Sequence, residues 1–212
     1  MNAQELFAET WRQLARRQGA TGQQTELVLD ELIAAYLQPS RQYHTLEHIA
    51  QLLRQFEQHG QAVLDRDAVV LAIIFHDAIY DPQRQDNEQQ SAALARARLT
   101  WLACDEALLA KVVHYIEATQ HALTLDSSDP DLALLLDLDL STLAAQPQAY
   151  SEYAKAIRRE YAHVPDAHYR LGRRQILEGF LARDRIYRTD ALNALWEARA
   201  RSNISGEIAG LI

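Results

Sequence analysis

The sequence predicts an all-α fold, a single-domain helical bundle, and three observations carry that prediction. Only 7 glycines and 5 prolines punctuate 212 residues, too few for the many turns of an all-β protein. Leu, Ala, Glu, Gln and Arg, all good helix formers, dominate the composition. Apolar residues recur three and four apart, the spacing of one helix face. At this length one well-buried domain fits and two would be cramped, and with 48% of residues apolar a sizeable core is available.

Phe7, Trp11 and Leu14 mark a first helix. Thr21 with Gln24 forms a capping box for a second, which turns Leu32, Ile33 and Tyr36 inward and stops at Pro39-Ser40. A third runs from about Tyr43 to Gln58, with Ile49, Leu52, Leu53 and Phe56 on its apolar side. The segment from Asp65 to Asp77 holds an unbroken apolar run, Val69 to Phe75. It reads as helix because no other segment offers it a strand partner. Asp81-Pro82 opens a polar loop, and Asp86 or Asn87 caps the next helix, which ends near Trp101. Asp105 caps another, bearing Leu108, Leu109, Val112, Val113 and Ile116. Asp129 before Pro130 is a start signal for a helix holding LALLLDLDLSTL. Pro147 and Pro165 sit near the starts of two more, and Thr189 caps a last one with Leu192, Leu195 and Trp196. No repeat or linker interrupts the pattern.

The net charge of −8 argues against a general nucleic-acid binder, whose footprint would be basic. Between Lys155 and Arg201, however, eleven Lys and Arg face six Asp and Glu. A basic quarter on an acidic body suits a small anionic ligand held by local arginines, or simply solvated helix faces. The single cysteine, Cys104, excludes an internal disulfide framework. The first eighteen residues lack the apolar core and cleavage site of a signal peptide, and no apolar run approaches the ~20 residues that span a bilayer. A soluble, cytoplasmic protein without a membrane partner is expected.

The chemistry gathers around His76-Asp77, which closes the apolar run and so should be buried, where ionisable groups need a partner or a metal. Upstream, His44 and His48 are four apart and share a helix face. Downstream, Asp137 and Asp139 interrupt an otherwise apolar helix; two apart, they cannot share a face, and one of them points inward. Imidazoles and carboxylates from three helices make a mixed nitrogen and oxygen site. That set suits a divalent transition metal (Mn, Fe, Co, Ni or Zn, with Mg also possible) better than calcium.

Several blocks together resemble a known family. RQYHTLEH at 41–48, FHDAIYDPQRQDNEQQSA at 75–92 and DLDLSTL at 137–143 are similar to the H…HD…D signature of the HD superfamily of metal-dependent phosphohydrolases. The likeness is to a bacterial branch of predicted HD phosphohydrolases, and it continues through AIRREYAHV, GRRQIL and ARARSNI. The resemblance implies a helical HD-type domain, with its core at about 40–145 and the C-terminal helices 147–200 packed on it. It assigns His48, His76, Asp77 and Asp139 as metal ligands, with His44 and Asp137 as competitors for the first and last places. Hydrolysis of a phosphoester or phosphoanhydride in a small nucleotide-like substrate, by a metal-activated water, is implied with it. Beside the ligands, Glu88 is placed to bond the attacking water, and Arg41 and Arg173 are phosphate-clamp candidates because a guanidinium grips phosphate oxygens with two parallel bonds. His121 and Asn87 complete the candidate site.

Two other functions fit parts of the sequence. His44-Thr-Leu-Glu-His48 also spells H-x-x-E-H, the helix motif of a class of zinc peptidases in which Glu47 would be the general base. It leaves His76-Asp77 without a role. A non-enzymatic nucleotide-binding protein would keep the helical fold and use the basic quarter as its sensor.

Overall fold

The structure is a computed structural model and describes residues 1–120 and 128–211. Among these residues every regular element is a helix. Contacts divide the chain into two compact units, Met1–Leu135 and Leu136–Ile212.

The first unit contains α1 (Ala3–Arg17), α2 (Gly22–Tyr36), α3 (Leu46–His59), α4 (Arg66–Phe75), α5 (Asn87–Trp101) and α6 (Glu106–Ala118). Their starts are chemically marked. Thr21 and Gln24 satisfy each other's backbone N–H in the capping box expected for α2, and Asn2 with Glu5 does the same for α1. Asp65 accepts from Ala68 N at the head of α4, and Asp105 accepts from Ala107 N and Leu108 N at the head of α6.

Helix α4 organises this unit. Every residue from Ala68 to Phe75 is at most 4% exposed, so it is apolar on all faces and must be enclosed on all of them. Helices α1, α3, α5 and α6 pack against it. Each fully buried Val, Ile, Leu or Phe contributes roughly 1.5–3 kcal/mol of transfer free energy. Tyr36 at the end of α2 adds a polar contact, its hydroxyl donating to the Ile74 carbonyl at 2.8 Å. Asp131 closes the other end of α4, accepting from Leu64 N and Asp65 N at 2.9 and 2.8 Å.

Helix α7 (Pro130–Asp139) runs into the second unit, where a 3-10 turn (Leu140–Ala144), α8 (Pro147–Glu160), α9 (Asp166–Leu181) and α10 (Asp190–Gly210) follow. Asp129 accepts from Asp131 N and Leu132 N, as its place before Pro130 predicts. The long α10 packs on α8, α9 and the 3-10 turn. Half-buried polar side chains fix the loops around it. Arg201 donates to the carbonyls of Leu181, Arg183 and Asp184, and Glu197 accepts from Ile186 N and Tyr187 N. Asn203 donates to the carbonyls of Leu143 and Ala145.

Asp137 is fully buried and accepts from Arg188 N (2.6 Å), Thr189 N (2.8 Å) and the Thr189 hydroxyl (2.7 Å). Thr189 does stand at the head of α10, but its side chain bonds Asp137 in place of capping the helix. Removing the carboxylate strands buried donors. Asp137→Ala is therefore expected to destabilise the protein by about 2–4 kcal/mol, read as a lowered urea midpoint.

Candidate metal centre

Helix α4 ends at Phe75, with the next amide, His76 N, still bonded to the Ala72 carbonyl at 2.9 Å. The chain then turns, and the two residues that follow the apolar run project where the enclosing helices stop. His76 is 2% exposed and Asp77 17%. His48 reaches the same point from the first turns of α3, and it is buried too.

The Nδ1 of His76 lies 3.0 Å from the Ile73 carbonyl oxygen. A carbonyl has no proton to give, so Nδ1 carries the hydrogen and directs Nε2 toward Asp77. His76 Nε2 stands 3.0 Å from Asp77 Oδ2, and His48 Nε2 stands 3.6 Å from the same oxygen. Donor atoms of all three residues lie within 4.8 Å of one another. Atoms bound about 2.1 Å from one ion sit roughly 3.0–3.4 Å apart in octahedral or tetrahedral geometry. The His76–Asp77 separation matches that spacing and the His48–Asp77 one slightly exceeds it, so a small inward shift would bring the three onto one ion. Among the described residues it is the one such group of three.

Electrostatics favour the same arrangement. Burial works to raise the Asp77 carboxyl, but the electrostatic pull of His76, His44 and His48 more than offsets it. The net effect holds Asp77 well below the usual carboxylate range, so it stays an anion.

Around the cluster is an aromatic rim. His44 stacks on Tyr80 with centroids 4.1 Å apart, and Tyr43 lies 4.8 Å from the His48 ring. The helix expected from Tyr43 begins instead at Leu46, after Thr45. The His44 carbonyl is taken by the Arg41 guanidinium at 3.0 Å. His44 and His48 therefore do not share a regular helical turn, although their rings are only 6.0 Å apart.

The other candidate residues fall in different places. Arg41 is 4% exposed, and its guanidinium donates to the carbonyls of His44, Asp77 and Ala78. It binds backbone where a phosphate clamp was expected. Glu88 occupies the first turn of α5, half-buried. Asn87 pins the preceding loop by accepting from Asp81 N and donating to the Asp81 carbonyl. Asp139 ends α7 in the second unit and is half-buried. Its rival Asp137 already accepts three hydrogen bonds from the Arg188–Thr189 segment. His121 lies outside the described residues. Glu47 is 68% exposed and paired with Arg54 at 2.9 Å, on the face of α3 turned from the cluster residue His48. That placement gives the H-x-x-E-H motif no inward base.

The basic quarter also corrects an expectation. Arg173 is buried and gives a two-pronged pair to Glu207, Nε at 2.8 Å and Nη2 at 3.1 Å, with the Tyr153 hydroxyl at 3.3 Å. Tyr150 donates to the same Glu207 at 2.6 Å. Arg158, Arg199 and Arg201 likewise donate to carbonyls. These arginines are neither solvated faces nor open anion clamps; they tie helices and loops together.

No protein-family model matches the chain, and comparison with curated proteins and with solved structures gives no significant match.

The Arg173–Glu207 pair makes a specific prediction. Arg173→Met leaves Glu207 buried without its cation and is expected to cost about 3–5 kcal/mol, whereas Arg173→Met with Glu207→Leu costs less than the single change. A denaturation double-mutant cycle that includes Glu207→Leu alone measures both; losses that add in the double variant would show that the pair is not coupled.

Proposed function

We propose that the protein is a metal-dependent phosphohydrolase acting on a small phosphorylated, nucleotide-like substrate. The observation that carries this reading is the convergence of His48 Nε2, His76 Nε2 and Asp77 Oδ2, from two helices, at metal-ligand spacing. The substrate class comes from the sequence blocks and their resemblance to HD phosphohydrolases. Asp139 is the fourth ligand on that resemblance alone.

A divalent ion bound there would supply Lewis acidity and lower the pKa of a water. The chain's own residues prepare the place for it. Ile73 fixes the His76 tautomer through Nδ1, as an outer partner of a ligating histidine commonly does. Asp77 remains ionised and brings negative charge. Tyr43, His44 and Tyr80, each half-buried, form the rim that a substrate would meet.

Wild-type protein is expected to bind a divalent transition metal and to hydrolyse a member of a nucleotide and phosphoester panel in Mn, Co or Ni. Asp77→Ala should lose bound metal, by elemental analysis after dialysis, and lose turnover with it. Glu47→Gln should change neither. Full metal content and full activity in Asp77→Ala would overturn the reading, and loss of activity in Glu47→Gln alone would favour a peptidase. Tight nucleotide binding with no turnover in any metal would make the chain a binding protein. Asp139→Ala is expected to weaken metal binding; unchanged affinity would restrict the ligands to the three residues in the first unit.

A further inference from the structure

The backbone carrying Asp77 is gripped from two sides by side chains outside the cluster. On one side Arg41, from the segment between α2 and α3, donates Nη1 to the Asp77 carbonyl at 2.7 Å and to the His44 carbonyl at 3.0 Å. Its Nη2 donates to the Ala78 carbonyl at 3.0 Å. The guanidinium is itself held over the Tyr36 ring at 5.1 Å and the Tyr80 ring at 5.6 Å. On the other side Ser91, fully buried on α5, both accepts from Ile79 N at 3.0 Å and donates to the Ile79 carbonyl at 3.1 Å.

These contacts matter because residues 76–80 follow the end of α4 and precede the polar loop. They have no helical ladder to fix them. A segment in that position would keep a side chain's direction only as well as its backbone is held. Arg41 supplies three bonds from one planar group and ties the His44 turn to the Asp77 turn. Ser91 uses donor and acceptor of one hydroxyl on one residue, which fixes the Ile79 peptides in both position and rotation. Both side chains stand in blocks that the sequence singles out, RQYH and DNEQQSA.

We propose that Arg41 and Ser91 are positioning residues of the metal centre, setting the direction of the Asp77 carboxylate through the backbone of residues 77–79. The inference rests on the proposed metal site and extends it to two residues that hold its backbone. It gives the buried arginine a role beside a cation site, since its guanidinium donates to three backbone carbonyls. Outer residues of this kind typically alter metal affinity ten- to a hundredfold.

Cobalt(II) tests it, because its visible absorption reports ligand geometry separately from stability. The full chain is titrated with Co2+ as wild type, Arg41→Lys and Ser91→Ala. Lysine keeps the charge but reaches fewer carbonyls, and alanine removes only the hydroxyl. Asp131→Asn is the control. It weakens a buried contact at the opposite end of α4, about 15 Å away along the ten-residue helix. Both site variants are expected to bind Co2+ at least tenfold more weakly with an altered visible spectrum. The control should unfold at lower denaturant with unchanged affinity and spectrum. Wild-type affinity and spectrum in both site variants would overturn the positioning role while leaving the metal site standing. An altered affinity that tracks stability alone, the control included, would overturn it as well. Absence of Co2+ binding by wild type would remove the metal site and this inference together.

Discussion

A helix with no polar side chain between Ala68 and Phe75 cannot lie on a surface, and the first unit is the consequence of enclosing it. Four helices surround α4, and their contacts leave its two ends as the places where charge is tolerated. At the first end Asp65 and Asp131 satisfy the entering backbone. At the other end the chain leaves the core through His76 and Asp77. His76 and Asp77 are thus placed at the end of an almost fully buried helix, where low surrounding polarity strengthens electrostatics. Phe75, which immediately precedes them, belongs to the same packed core, so the position of the pair follows from that packing.

Two histidines and an aspartate brought together in this way could hold a cation, which is the basis of the proposed metal centre. Asp77 responds to its histidines by staying ionised against the cost of burial, and His76 has its remaining proton committed to Ile73. A divalent metal at the proposed site would draw on all three, the two histidine nitrogens standing 3.0 and 3.6 Å from one Asp77 oxygen. The second unit shows the opposite treatment of charge. Arg173 meets Glu207, Arg201 meets carbonyls, and Asp137 meets backbone amides, so these charges are matched within the protein.

Much of this was legible in the residues. The helical pattern, the caps at Thr21, Asp105 and Asp129, and the burial of Val69 to Phe75 follow from local rules that the fold obeys. His76-Asp77 stood out because charge at the end of an apolar run is costly, and that physics survives in the structure. What failed depended on long-range partners. Arg41 and Arg173 look like phosphate ligands in one dimension, since sequence marks a guanidinium but not the carbonyls or the Glu207 that receive it. The start of α3 moved from Tyr43 to Leu46 because Arg41 captures the His44 carbonyl, an interaction no propensity contains. Ser91 carried no signal as a ligand, being an ordinary small residue in a helix, and its importance appears only when Ile79 is seen beside it.

The central claim is that one metal ion is bound by His48, His76 and Asp77, and anomalous diffraction from crystals grown with Mn2+ tests it most directly. The account predicts a strong anomalous peak about 2.0–2.3 Å from His48 Nε2, His76 Nε2 and an Asp77 carboxylate oxygen. A peak bound elsewhere, or none at this site under saturating Mn2+, would contradict it.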